Sequence, residues 1–208
     1  MVRCPHCDAE LAHPASCGSC GRLLEIPEAA TPYEVLGLGD VTWSVDRDDL
    51  RTRLLKLTRD VHPDFFGTAG ADVRALAERN SARINDAYAI LSDDVARADW
   101  LVEHLGGPDE QTERTMPPEF LAEVLEWNEL LEEARDSDTA DPRLEPLERE
   151  LHERRGAALD TVARLLTPLP QHRSPDLKRV RAQLNAVRYV DRALSEIGTQ
   201  RLARASRD

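Results

Sequence analysis

The 208-residue chain has no apolar run of the length that crosses a bilayer, no phosphate-cradling glycine loop and only 4% aromatic residues. A spanning helix needs roughly 20 consecutive apolar residues, so a membrane protein of that type is not expected. The first residues form neither a secretory leader nor an arginine-rich presequence, which points to the cytoplasm. A cationic surplus is also missing: Lys and Arg number 27 against 39 Asp and Glu, giving a net charge of -12 at pH 7. That balance argues against general binding of nucleic acid or acidic membrane and leaves only local basic faces open. Lysine is nearly absent, with Lys56 and Lys178 alone among the basic residues. We read that bias as genome composition, with no functional consequence. No catalytic dyad is recognisable, so no enzyme is expected.

Cysteine is scarce, but all four residues stand together as Cys4-Pro5-His6-Cys7, nine intervening residues, then Cys17-Gly18-Ser19-Cys20. Paired C-x2-C knuckles let thiolates converge in tetrahedral geometry, which suits structural Zn2+ held by Cys4, Cys7, Cys17 and Cys20. Iron in the same ligands, two redox disulfides, or His6 or His13 replacing one sulfur are the competing readings. The segment is too short to fold by burial alone, so metal binding would supply its folding energy. Pro27 to Pro32 reads as a linker, and the finger is expected to span residues 1–26.

The remainder reads as all-α. Proline disfavours helical geometry in the residue before it, so His62-Pro63-Asp64 should end a helix that starts near Asp46 and stops near Val61, with Asp64 projecting from the corner. Leu50, Leu54, Leu57 and Val61 step by 4, 3 and 4 before the turn; Val73, Leu76, Ala77, Asn80, Ile84, Ala87, Tyr88 and Leu91 form a second stripe after it. Two such stripes make an antiparallel helical hairpin. Arg47, Arg51, Arg53, Lys56 and Arg59 lie mostly off the first stripe and are read as available to a partner. Upstream, Tyr33-Glu34-Val35-Leu36-Gly37-Leu38 reads as a short helix closed by glycine. Downstream, Val95 to Leu105 forms a helix capped by Ser92 and broken by Gly106-Gly107-Pro108.

From Pro117 the pattern predicts a three-helix bundle: Pro117 to Asp136, Arg143 to Thr167 and Pro175 to Ala205, joined by Ser137–Pro142 and Pro168–Ser174. The expected core stripes are Phe120, Val124, Trp127, Leu131; Leu144, Leu147, Leu151, Ala158, Val162, Leu165; and Leu177, Val180, Leu184, Val187, Leu194. Glu119, Glu123, Glu126, Glu129 and Glu133 share one face of the first helix, with Leu121 and Leu125 between that face and the core. An apolar edge beside acid fits a docking surface, and a solvated acidic helix with a widened core contact fits it too. Tyr189 should lie about 160° around its helix from the core stripe.

The order YEVLGL, basic helix, His-Pro-Asp, INDAYAIL resembles the J domain of DnaJ co-chaperones. Phe120 to Glu133, Val187 to Asp191, His62-Pro63-Asp64-Phe65-Phe66 and Arg97-Ala98-Asp99-Trp100-Leu101 together resemble the HscB family. That resemblance implies a J domain at 31–107, a scaffold-binding bundle at 116–205, and a match to the subgroup with an N-terminal tetracysteine finger. It implies that Arg51, Lys56, His62, Pro63 and Asp64 dock on a DnaK- or HscA-type chaperone and promote its ATP hydrolysis. It places binding of an IscU-type iron-sulfur scaffold on Leu121, Ala122, Leu125, Glu126, Glu129, Glu133 and Tyr189. A second copy of the chain is a further candidate partner. Leu55 and Phe65-Phe66 depart from the usual residues of general J domains, and Ala122 from the larger apolar residue usual in the HscB family. A J protein serving other clients and a zinc-thiol redox adaptor are the alternative functions.

Overall fold

The computed structural model describes residues 3–66, 69–136 and 141–205. The described residues contain seven α-helices and no strand, with isolated bridges Arg3 to Glu10 and Ser16 to Leu23 in the finger. They divide into two compact units, Met1–Arg97 and Ala98–Asp208.

In the first unit, α1 (Pro32–Val35) begins at Thr31, whose Oγ1 accepts the Glu34 N–H while Glu34 accepts the Thr31 N–H at 2.8 Å. This reciprocal cap lets a four-residue helix stand. Gly37 follows at φ +68°, and a Cβ there would lie 2.8 Å from the Ala12 carbonyl oxygen, so both turn and packing require glycine. Helix α2 (Arg47–Asp60) is capped by Asp46, whose Oδ1 accepts the Asp48 and Asp49 N–H groups at 2.9 and 3.1 Å. It ends at Val61, as the proline two residues later requires.

A 3-10 turn, Pro63–Phe66, precedes α3 (Ala71–Ser92). The hairpin buries Leu50, Leu57 and Val61 against Ala77, Ile84, Ala87 and Leu91. Each large apolar side chain so removed from water contributes about 1.5–3 kcal/mol. Two expectations need correction. Val73 is exposed, because it lies in the first turn of α3, before the hairpin core begins. Ser92 remains inside α3, and it is Asp93 that caps α4 (Asp94–His104), its Oδ1 accepting the Ala96 N–H at 2.8 Å.

The second unit holds the end of α4 together with α5 (Pro118–Asp136), α6 (Leu144–Leu165) and α7 (Asp176–Ala205). The expected loop Ser137–Pro142 lies mostly outside the described residues. Phe120, Val124, Trp127 and Leu131 form one core with Leu144, Leu147 and Leu151, as their spacing predicts. Helix α7 departs from the single expected stripe. Leu177, Val180, Leu184 and Val187 are buried, and so is a second series, Ala186, Val190, Ala193 and Ile197, which packs into the core with α5 and α6. A central helix needs two apolar faces, and the small residues of the second face hid it from a periodicity reading. Tyr189 flanks that face, so it packs on the core instead of pointing away.

Charge is buried here as well. Arg181 is 1% exposed at its side chain and donates to Asp99, to which Arg188 also donates, while Arg181 Nε reaches the Pro108 carbonyl at 2.9 Å. Removing one partner of a buried pair strands the other. Asp99→Ala is therefore expected to cost about 3–5 kcal/mol. Arg47→Ala, at the exposed pair with Asp94, should cost less than about 1 kcal/mol. Urea titration of the full chain followed by helical circular dichroism compares the two, and equal small losses would refute the distinction.

Candidate functional site

Three sites emerge from these elements. In the finger, each knuckle closes on a turn: Asp8 N–H donates to the Cys4 carbonyl at 3.0 Å, and Gly21 N–H to the Cys17 carbonyl at 2.8 Å. The two turn residues occupy equivalent positions and both have positive φ, 56° at Asp8 and 69° at Gly21. Asp8 bears that conformation with its carboxylate held by Arg3 at 2.8 Å. The four Sγ atoms lie within 4.8 Å of one another, with Cys7 to Cys17 at 3.6 Å and Cys4 to Cys20 at 3.8 Å.

Zinc–sulfur bonds of about 2.3 Å give tetrahedral edges of roughly 3.8 Å, so the sulfurs are spaced for one metal ion. All four cysteines are free thiols, and His6 Nδ1 is engaged by Arg22 at 3.0 Å, which leaves a four-sulfur donor set. The Cys20 and Ser19 amides draw the Cys17 thiol down to about 6. The Ala9 amide acts the same way on Cys7, but the neighbouring sulfurs and burial push it up to about 12. Deprotonating all four sulfurs this close together needs a cation between them.

The second site is the His-Pro-Asp corner. The Asp64 side chain is 88% exposed, and its backbone N–H donates to His62 Nδ1 at 3.3 Å, so the ring braces the turn that presents the carboxylate. Phe65 is 68% exposed and meets the His62 ring edge-on at 6.0 Å. On α2, Arg51, Lys56 and Arg59 are exposed, and none makes an ion pair among the described residues. Leu55, between them, is 64% exposed. Arg47 and Arg53 are not available as expected: Arg47 pairs with Asp94 at 2.9 Å, and Arg53 pairs with Asp49 and donates to the Gly37 carbonyl, both at 2.7 Å. Spacing could have singled out Arg53, four residues after Asp49, but not Arg47, whose partner lies on another helix.

The third site is the outer face of α5. Leu121 and Leu125 are 49% and 67% exposed, and Ala122, Glu126, Glu129 and Glu133 are exposed beside them. Glu123 and Glu133 do not belong to a free acidic face: Glu123 pairs with Arg154 and Glu133 with Arg143, the latter at 2.9 Å. Tyr189 reaches this face from α7. Its hydroxyl donates to Asn128 Oδ1 at 2.5 Å, its ring meets Phe120 at 5.9 Å, and burial raises its phenol pKa. Leu121, Leu125 and Asn128 follow at i, i+4 and i+7, so Tyr189 extends the leucine strip sideways.

Residues 116–198 match the model of the HSCB C-terminal oligomerisation domain. A co-chaperone protein HscB homolog of Shewanella loihica is 30% identical over 79% of this chain and 94% of its own length. The chain belongs to the HscB family. A homologous HscB co-chaperone of Bordetella petrii is 36% identical over 64% of this chain and 77% of its own length. The crystal structure of human co-chaperone HscB superposes with a TM-score of 0.78 at 23% identity, covering 97% of this chain and all of the human one. HscB from Vibrio cholerae gives 0.68 at 24% identity, covering 84% of this chain and 99% of its own. These two establish the shared all-helical fold.

In this chain the finger is fastened to α3. Asn80 sits in the hairpin stripe, yet its Nδ2 donates to the Ala15 and Leu24 carbonyls at 3.2 and 2.8 Å, and Arg83 donates to the Ile26 and Pro27 carbonyls at 2.6 and 2.8 Å. Asn80 is 1% exposed, so its amide must be satisfied there. A polar residue at a core position was the one sequence signal of this contact. We expect one metal ion per chain by elemental analysis, and its loss on Cys17→Ser. Asn80→Ala should retain the metal and lose about 1–3 kcal/mol in denaturant unfolding. Unchanged stability would show that the finger is not fastened this way.

Proposed function

We propose that this HscB-family protein is a non-enzymatic cytoplasmic co-chaperone that binds an IscU-type iron-sulfur scaffold and delivers it to a DnaK- or HscA-type chaperone, stimulating that chaperone's ATP hydrolysis. The observation that carries the reading is the presence on one chain of two exposed faces of complementary kinds. One is an exposed carboxylate on a braced turn, on the unit that also bears exposed cations without an ion pair among the described residues; the other is an apolar strip edged by acid. Asp64 pairs with an arginine of the chaperone, for which a fixed carboxylate is suited. Arg51 and Lys56 meet an acidic part of the same partner. His62 and Pro63 act by holding the turn. Leu121, Leu125 and Tyr189 seat the scaffold, with Ala122 making a shallow place in the strip, and Glu126 and Glu129 select basic residues around it, while Glu133 contributes only where a partner's cation displaces Arg143. Zn2+ is the metal of the finger, held by Cys4, Cys7, Cys17 and Cys20, and its role is structural because four sulfurs close the coordination sphere.

The test is the ATPase rate of the chaperone with this protein, with and without scaffold. Stimulation should be synergistic with scaffold, and Asp64→Asn should abolish it. Leu125→Ser should remove the synergy while leaving scaffold-free stimulation intact, with scaffold affinity falling at least about tenfold, or 1.4 kcal/mol. Stimulation indifferent to scaffold would instead favour a J protein for other clients.

A further inference from the structure

Beside Tyr189, on the side of α7 away from the α5 leucines, the second unit has a surface pocket of about 400 Å3. Arg114, Arg188 and Arg192 line it, against a single acid, Glu110. Such a concentration of positive charge is notable in a chain of net charge -12. Its arginines are not equivalent. Arg188 is spent on Asp99 and, at 3.3 Å, on Glu110, but its Nη1 is buried with no hydrogen-bond partner among the described residues. Arg114 and Arg192 are exposed and have no ion pair among the described residues.

The pocket is also built in advance. The segment bearing Arg114 is held to α7 by Asn185, whose Nδ2 donates to the Glu113 and Thr115 carbonyls at 2.9 and 3.0 Å, and by Lys178, which pairs with Glu113 at 2.9 Å. Arg114 is thus clamped between two tethered carbonyls, and Arg192 projects from a regular helix. Little backbone order remains to be lost when a ligand binds.

We infer that this pocket receives the carboxylate side chains of an acidic segment on the same protein that seats on the leucine strip. The inference rests on the scaffold-binding reading of that strip. Tyr189 lines the pocket and also contacts α5, so the two surfaces are continuous through one side chain. A partner laid across Tyr189 meets glutamates on one side and arginines on the other. The apolar strip supplies contact area but no direction; opposite charges on its two edges fix which way round the partner sits. Two unpaired guanidiniums offer carboxylates the forked geometry they bind best.

The experiment is calorimetric titration of the full chain with an IscU-type scaffold at several salt concentrations. Arg114→Ala/Arg192→Ala should weaken binding by roughly three- to tenfold and flatten its salt dependence. Arg114→Lys/Arg192→Lys should restore the salt dependence, and Leu125→Ser should weaken binding at every salt concentration. If the double alanine variant binds like the wild type with the same salt slope while Leu125→Ser is impaired, the pocket inference falls and the docking reading stands. If the wild-type chain does not bind the scaffold, both fall. Binding of inorganic phosphate that the double alanine variant loses, with scaffold affinity unchanged, would assign the pocket to small anions and overturn the inference.

Discussion

Buried charge has to be matched, and α4 imposes that requirement twice within three residues. In the first unit Arg97, 4% exposed, donates to the Trp43 carbonyl at 3.0 Å, pairs with Asp94 at 2.5 Å, and holds its guanidinium 4.4 Å over the Trp43 ring. In the second unit Asp99 holds two guanidiniums from α7. Each group would be costly to bury alone, so each dictates the position of the elements that satisfy it. Arg97 fixes the loop before α2. Asp99 fixes the rotation of α7 about its axis, and with it the direction in which Tyr189 and the arginines that follow it point. The exposed faces depend on these internal matches for their geometry.

What was legible in the sequence follows from the range of the interactions. Local rules carried far: α2 starts beside Asp46 as expected, the proline at 63 stops the helix at Val61, and the C-x2-C pairs do converge. These depend on residues close along the chain. Two misreadings were local, Val73 in the first turn of α3 and the cap that falls on Asp93 one residue past Ser92; the others involve partners far away in sequence or faces built of small residues. Arg47 looked like a free cation because the Asp94 carboxylate that pairs with it lies on another helix. Tyr189 looked remote from the core because Ala186 and Ala193 did not register as an apolar stripe, although their small size is what allows close packing of helices. Asn80 was readable only as an anomaly, a polar residue in a core stripe. The family resemblance supplied the candidate site residues, and the structure shows which of their neighbours are already engaged by other residues.

The finger bears on the same point. A metal-tied loop with few apolar contacts could hang freely from its linker, but its carbonyls at Ala15, Leu24, Ile26 and Pro27 are taken by Asn80 and Arg83. Both donors lie one turn apart on α3, the helix that also packs on α2 and carries the far side of the His-Pro-Asp corner. The closed finger, with its four sulfurs gathered, presents those carbonyls in register. A metal bound there would therefore organise more than the finger: it would hold in place the two carbonyls that complete the hydrogen-bonding of Asn80 in the hairpin stripe.

The α5 strip and the arginine pocket together have a polarity that area alone would not provide. Exposed leucines are adhesive toward any apolar surface, and a chain that used them without restraint would bind unfolded clients as readily as a folded scaffold. Acid along one edge already repels part of that population. Base along the other edge adds a second condition, because a ligand satisfying both must hold its own charges at a fixed separation across an apolar centre. Unfolded segments seldom keep such a separation, whereas a folded surface keeps it at no further entropic cost. If the bundle docks a folded scaffold as proposed, its selectivity would come less from the leucines than from the charges on either side of Tyr189, of which those on α7 are oriented by the Asp99 pairs and Arg114 by Asn185.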